Sequence, residues 1–170
     1  LTHTNISSGQ PGLMHMEKAL KNRMNVVTGN KGPIFLKYKY LNELAVENGV
    51  QLMVGCTTGG ALPSINGGLI EVAGSEITSM EGILNGTTNY ILSEMMEKDI
   101  SYDEALKQAQ KEGIAEKNPT LDIEGYDTAV KIIILSNVIL NTDLSLNDIK
   151  VEGISHIKKE ELIVLKEQEK

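Results

Sequence analysis

The chain has 170 residues, with 16 Lys and Arg against 23 Asp and Glu and a net charge of −7. That length holds one substantial core, or a domain and a piece of another. The negative charge argues against nucleic acid or an anionic membrane as partner. No stretch reads as a membrane span or a signal peptide. Cys56 is the single cysteine, so no intrachain disulfide is expected, which suits a reducing, cytoplasmic setting. It reads as a small buried residue.

Ser7-Ser8-Gly9-Gln10-Pro11-Gly12 is a turn-rich lead into a helix over 13–21, with Pro11 near its first turn. A short buried strand is expected over 24–27, then a loop, a helix over 35–48 closed by Gly49, and a strand over 52–54. Strand and helix alternating through short loops is the grammar of a parallel doubly wound sheet, whose ligands bind at the carboxyl ends of the strands. The Gly-x-Gly-x-x-Gly fingerprint of a dinucleotide site is not in the sequence, so the chain reads as starting partway through a nucleotide-binding domain. Gly55–Pro63 is a glycine-rich loop, and a helix or turn-rich segment follows over 62–74. Ile77, Ser79, Glu81 and Ile83 alternate with Thr78, Met80 and Gly82, which is strand periodicity over 76–84.

The stretch 81–131 concentrates polar residues of catalytic type: Asn85, Thr87, Thr88, Asn89, Glu116, Asp122, Asp127 and Lys131. They lie between apolar runs, where uncompensated polar groups are costly. Asn85-Gly86-Thr87 opens a helix to about residue 98, and its first turn is either a plain capped start or a carboxylate site built on unpaired N–H groups. Ser101 and Glu104 form a capping box for a helix running to 112, ahead of Gly113. On the expected helix over 127–140, Asp127 and Lys131 share a face. Spacing alone makes such a pair a solvated ion pair. Ile132-Ile133-Ile134-Leu135 follows Lys131, however, and a lysine desolvated there would exchange protons nearer neutral pH. A turn at 141–143, a strand end over 148–154 and a polar helix over 158–170 complete the chain.

G-I-L-N-G-T-T-N-Y-I-L (82–92) followed by A-E-K-N-P-T-L-D-I-E-G-Y-D-T-A-V-K (115–131) resembles the central signature of homoserine dehydrogenases. T-N-I-S-S-G-Q-P-G-L (4–13) and N-V-V-T-G-N-K-G-P (25–33) are similar to the family's N-terminal half in register. The resemblance implies NAD(P)-dependent interconversion of L-aspartate 4-semialdehyde and L-homoserine, in threonine, methionine and isoleucine biosynthesis. It implies Lys131 as the group that gives or takes the hydroxyl proton, and Asp127 as holding that lysine and the substrate. Gly86, Thr87, Glu116 and Asp122 would fix the amino acid ends. Thr28, Asn30 and Lys31 would border the nicotinamide of NAD or NADP, with Lys31 also polarising the carbonyl. Gly55, Thr58, Gly60 and Leu62 fall on positions where some members bind a monovalent cation such as sodium, largely through backbone carbonyls. A small-molecule substrate and a homodimer or higher homo-oligomer are implied as partners, with no nucleic acid and no membrane.

Two positions depart from the family pattern, Ile114 where a tyrosine is usual and Asn118 where an aspartate precedes the proline, and Gly55 stands where the family often has glutamate or glycine. Loss of a substrate hydrogen bond, weaker loop anchoring and a missing carboxylate ligand are the respective expectations. The fold expected is α/β: the C-terminal half of a Rossmann-like domain over 1–55, then an α+β catalytic and dimerisation domain over 56–170 with helices on one face of a sheet. Read this way the chain is a truncated homoserine dehydrogenase. Two alternatives stay open: an inactive dimerising or amino-acid-binding scaffold, and a dehydrogenase for another small amino acid aldehyde.

Overall fold

The computed structural model describes residues 4–71 and 73–167. The elements in order are α1 (Gly12–Lys21), β1 (Val26–Thr28), α2 (Lys31–Glu47), β2 (Leu52–Val54), α3 (Ser64–Glu71), α4 (Gly86–Lys98), α5 (Tyr102–Lys111), α6 (Thr120–Ile123), α7 (Tyr126–Ile139), a 3-10 turn (Leu146–Asp148) and α8 (Lys159–Glu167). The chain divides into two compact units, one of residues 1–81 with 130–149, the other of 82–129 with 150–170. Among the described residues no helix is long and apolar enough to cross a membrane.

In the first unit β1 and β2 pair in parallel, Val26 with Leu52 and Thr28 with Val54. Parallel neighbours need a crossover, and α2 supplies it. Helix α2 begins four residues earlier than periodicity suggests, because Asn30 is its N-cap and Pro33 falls in its first turn. There the missing N–H of a proline costs no intrahelical bond. The helix is kinked at Lys37 and ends before Gly49, whose φ of +67° suits glycine. Met16 and Leu20 of α1 and Ile34, Leu41, Leu44 and Ala45 of α2 are buried, and α1 packs on α2. Asn137, also buried, holds the turn after α7: its amide donates to the Leu144 carbonyl at 2.9 Å and accepts from Thr142 Oγ1 and Leu144 N, each at 2.8 Å.

Two expected strands do not form. Residues 76–84 run without regular structure, and so do 149–154. A strand persists only where a neighbour offers its own N–H and C=O groups in register, and the two-stranded sheet of the first unit is the only one among the described residues. The alternation of 77–83 is not used for burial either, since Ile83 is 79 % exposed. The second unit shows helices around an apolar cluster: Ile91 and Met95 of α4, Ala105 and Ala109 of α5, Ala115, and Leu162 of α8. Small alanines on α5 let α4 approach closely. Cys56 is likewise not buried: its left-handed backbone (φ +59°) just past β2 leaves it exposed.

The capping box of α5 is as the sequence indicates, with Ser101 Oγ accepting from Glu104 N and the Glu104 carboxylate accepting from Ser101 N. Beside it, Tyr102 packs on the cluster with its hydroxyl buried and without a hydrogen-bond partner. An unsatisfied buried hydroxyl costs about 1–3 kcal/mol. Tyr102→Phe should therefore raise stability by about 1 kcal/mol, read as a higher urea midpoint at unchanged slope; a loss of stability would mean the hydroxyl is satisfied.

Tyr90 of α4 donates to Glu112 at 2.8 Å, and Gln108 donates to both Tyr90 and Glu112. Burial, then the neighbouring Glu112 and Glu94 carboxylates, push the Tyr90 phenol up to about 12. The bonds from Tyr90 and Gln108 hold Glu112 below the usual carboxylate range. A raised phenol stabilises the fold fully below its ordinary value of 10.0, and that stability is lost as pH climbs toward about 12. The lowered glutamate contributes above the ordinary glutamate value, and its share is lost as pH falls through the depressed one. The urea midpoint should thus stay level near neutrality and fall on both sides. Tyr90→Phe should remove the latest-ionising phenol from a spectroscopic titration.

Candidate functional site

Asn85 organises the second unit's polar centre. It caps α4, its side-chain oxygen accepting from Thr88 N at 2.9 Å and from Thr88 Oγ1 at 3.1 Å. The same side chain's Nδ2 donates to Asp122 Oδ1 at 2.6 Å and to Asp127 Oδ2 at 3.1 Å. Residues 37 and 42 positions away are thereby drawn onto one amide. Asp122 comes from the single-turn helix α6 and Asp127 from the first turn of α7. Between them Gly125, at φ +82°, turns the chain so that both carboxylates reach the same point.

This turn is braced from outside. Ile154 N donates to the Ile123 carbonyl at 2.8 Å, and Ser155 Oγ donates to Glu124 Oε1 at 2.9 Å. The bracing segment lies so near that a Cβ on Gly125 would sit 2.7 Å from the Glu152 carbonyl oxygen, and one on Gly153 would sit 2.6 Å from that of Ile123.

Gly86 and Thr87 form the first turn of α4, next to Asn85. Thr87 Oγ1 donates to the Ile114 carbonyl at 3.2 Å, so the backbone at 114 still ties the loop to α4 although a tyrosine is not there. Asn118 keeps its loop anchored too. Its side-chain oxygen accepts from Thr120 Oγ1 at 2.6 Å, a bond that needs an acceptor but no charge. Glu116 is exposed, in a loop whose carbonyls at 116 and 117 accept from Gln110 Nε2. Lys131 is half-buried and lies on α7.

In the first unit Thr28, Asn30 and Lys31 come together where β1 ends. Thr28 Oγ1 accepts from Asn30 N at 3.0 Å, and Asn30 Nδ2 donates to Thr4 Oγ1 at 2.5 Å. All three line a cleft of about 610 Å³ with Gly12, His15, Met16 and Ala19 of α1. A Cβ at Gly12 would lie 2.6 Å from Asn30 Nδ2, so a larger residue there would displace the Asn30 side chain. The carboxyl end of a parallel strand beside a helix N-terminus is the usual ligand position of an α/β sheet.

The loop after β2 carries Gly55, Thr58, Gly60 and Leu62. Thr58 is buried with its hydroxyl 2.7 Å from Ser64 Oγ, Gly60 has φ +57°, and Leu62 is exposed. Buried Thr57 in the same loop has a hydroxyl with no partner. Among the described residues no three His, Cys, Asp or Glu cluster as metal ligands.

Asn85 was visible in the sequence as one polar residue among many, but nothing there assigned it a role. The usable signal was an asparagine directly before a helix start, with two acidic residues flanking the later α6–α7 junction.

The family model described as homoserine dehydrogenase matches residues 63–170. The chain is 47 % identical over 164 residues to a homoserine dehydrogenase of Methanocaldococcus jannaschii, covering 96 % of this chain and 49 % of that protein. It is 40 % identical over 161 residues to an NAD(+)-dependent homoserine dehydrogenase of Pseudomonas canavaninivorans, covering 95 % and 46 %. A hyperthermophilic archaeal homoserine dehydrogenase mutant solved in complex with NADPH superposes with a TM-score of 0.80 at 29 % identity, over 88 % of this chain and 46 % of that one. The chain thus spans about half the length of these curated relatives. With the family model covering more than half its residues, the chain belongs to the homoserine dehydrogenase family.

Proposed function

We propose that this chain carries the substrate-binding and proton-handling part of a cytoplasmic homoserine dehydrogenase, interconverting L-homoserine and L-aspartate 4-semialdehyde for amino-acid biosynthesis. The observation that supports it most is the convergence of Asp122 and Asp127 on Asn85 beside the first turn of α4. Two acidic side chains suit the ammonium of an amino acid, and the N-terminal amides of a helix suit its carboxylate. In this reading Gly86 and Thr87 receive the carboxylate, Glu116 and Asp122 the ammonium, and Asp127 orients both substrate and Lys131. Lys131 takes the hydroxyl proton during oxidation and returns it during reduction.

NAD or NADP supplies or accepts the hydride when bound. Thr28, Asn30 and Lys31 are the residues of this chain that would hold its nicotinamide end, and Lys31 would also polarise the substrate carbonyl. Residues 1–55 then belong to the nucleotide-binding domain and 56–170 to the catalytic and dimerisation domain. The carbonyls of Gly55, Thr58, Gly60 and Leu62 are the candidate donors for a monovalent cation, since neutral backbone oxygens can replace the hydration shell of such an ion. The unpartnered Thr57 hydroxyl in the same loop is consistent with a ligand there.

The test is oxidation of L-homoserine with NAD and with NADP, by this chain and by the chain extended with a complete nucleotide-binding half. Activity in the extended chain is the expected result, and silence in both with either cofactor overturns the reading. The 170-residue chain holds no Gly-x-Gly-x-x-Gly, whose backbone amides cradle pyrophosphate. That favours a second reading for the chain alone, an amino-acid-binding module without turnover, for which homoserine should bind calorimetrically while NAD(P) does not.

A further inference from the structure

We infer that Asn85 is a positioning residue for the acidic pair, setting the direction of both carboxylates and offsetting their mutual repulsion; the inference rests on the function proposed above. Asn85 is only 5 % exposed. Its oxygen is occupied by Thr88 N and Thr88 Oγ1, and its nitrogen by Asp122 Oδ1 and Asp127 Oδ2. An asparagine side chain has two N–H donors and one oxygen with two lone pairs, so every bond it can make is made.

That saturation fixes the amide's orientation. If oxygen and nitrogen were exchanged, Thr88 N would face an N–H group and each carboxylate would face an oxygen. Two hydrogen bonds from one planar NH2 place their acceptors roughly 5 Å apart. Carboxylates at that separation repel. The two N–H dipoles oppose the repulsion along the lines on which it acts. One oxygen of each carboxylate is bound to the amide, which decides where the other points. The clamp is also joined to α4, because Asn85 is that helix's N-cap. The groups proposed to receive the substrate's carboxylate and its ammonium are therefore held in one frame by a single side chain.

Charge distinguishes this role from a merely structural one. In the extended, active chain, Asn85→Asp puts a third carboxyl group where the amide was. Near pH 8, kcat/KM for homoserine should fall about 10²- to 10³-fold, with KM for NAD(P) within about twofold of wild type. The deficit should narrow on acidification, as the introduced carboxyl takes up a proton and can again donate a hydrogen bond. The acid limb of the rate profile should move accordingly. Asn85→Ala should lose a similar factor with no such recovery. An Asn85→Asp enzyme whose deficit is independent of pH, or whose cofactor KM rises in parallel, overturns the inference while leaving the proposed function standing.

A second measurement does not depend on turnover. In the 170-residue chain the Asn85 side-chain amide protons should exchange slowly with solvent, and Asp122→Ala and Asp127→Ala should each accelerate that exchange. Fast exchange in the unaltered chain removes the clamp. Absence of homoserine oxidation in the extended wild type overturns the function instead, and the exchange data then decide the clamp alone.

Discussion

Lys131→Ala in a chain extended to an active enzyme is expected to lower kcat for homoserine oxidation by about 10³-fold, within the range that a positioned general acid–base supplies. The KM for NAD(P) should stay within about twofold, because a group acting on the substrate proton contributes little to the ground-state binding of another molecule. Lys131→Arg separates charge from proton transfer: arginine keeps the positive charge but does not give up its proton near neutral pH. If that variant is as inactive as the alanine form, the proton matters; if it recovers most of the rate, Lys131 acts only as a fixed charge. Stability supplies the remaining control. Lys131 is half-buried, and a buried apolar run follows it at Ile133, Ile134 and Leu135. Replacing it by alanine deletes no core side chain, so the melting temperature should move little. Parallel loss of rate, cofactor affinity and melting temperature would assign Lys131 a structural role and remove it from the chemistry.

What the sequence carried legibly was local. Helix caps, the crossover between β1 and β2, and the Ser101–Glu104 capping box all lie within a few residues of the signals that announce them, and the structure places them within a few residues of expectation. The alternation over 76–84 was equally plain, yet it yields no strand, because period-two patterning describes a strand's faces and not the partner it needs. Asp122 and Asp127 could be picked out by residue type and by resemblance. Their meeting could not be read off, because it depends on Gly125 taking a left-handed turn and on Asn85 arriving from about forty residues away. Both are tertiary events. The bracing of the turn by 152–155 is further removed still, since nothing in Glu152-Gly153-Ile154-Ser155 announces a backbone crossing.

That crossing makes Gly125→Ala the substitution with the largest expected effect on folding. An L-residue at φ +82° pays about 1–2 kcal/mol for its Cβ alone. The new Cβ would also lie 2.7 Å from the Glu152 carbonyl oxygen and 3.3 Å from its carbon. Both are backbone atoms and cannot rotate away, so either the 150–154 segment lifts or the turn opens. A combined loss of about 3–4 kcal/mol is expected, at the upper end for a single substitution. Gly153→Ala separates the two contributions. Position 153 is not among the positive-φ glycines, yet its Cβ would meet Ile123 O at 2.6 Å and Glu124 Cα at 2.7 Å. Crowding alone should therefore cost Gly153→Ala about 2 kcal/mol or more, with the excess at Gly125 measuring the left-handed strain. Function should follow geometry in the same order. An opened turn carries Asp127 away from Asn85 while leaving Thr28, Asn30 and Lys31 on their own elements, so at a temperature where both variants stay folded the KM for homoserine should rise and that for NAD(P) should not. A Gly125→Ala protein with wild-type denaturation and unaltered homoserine kinetics would mean that the turn does not position the acidic pair.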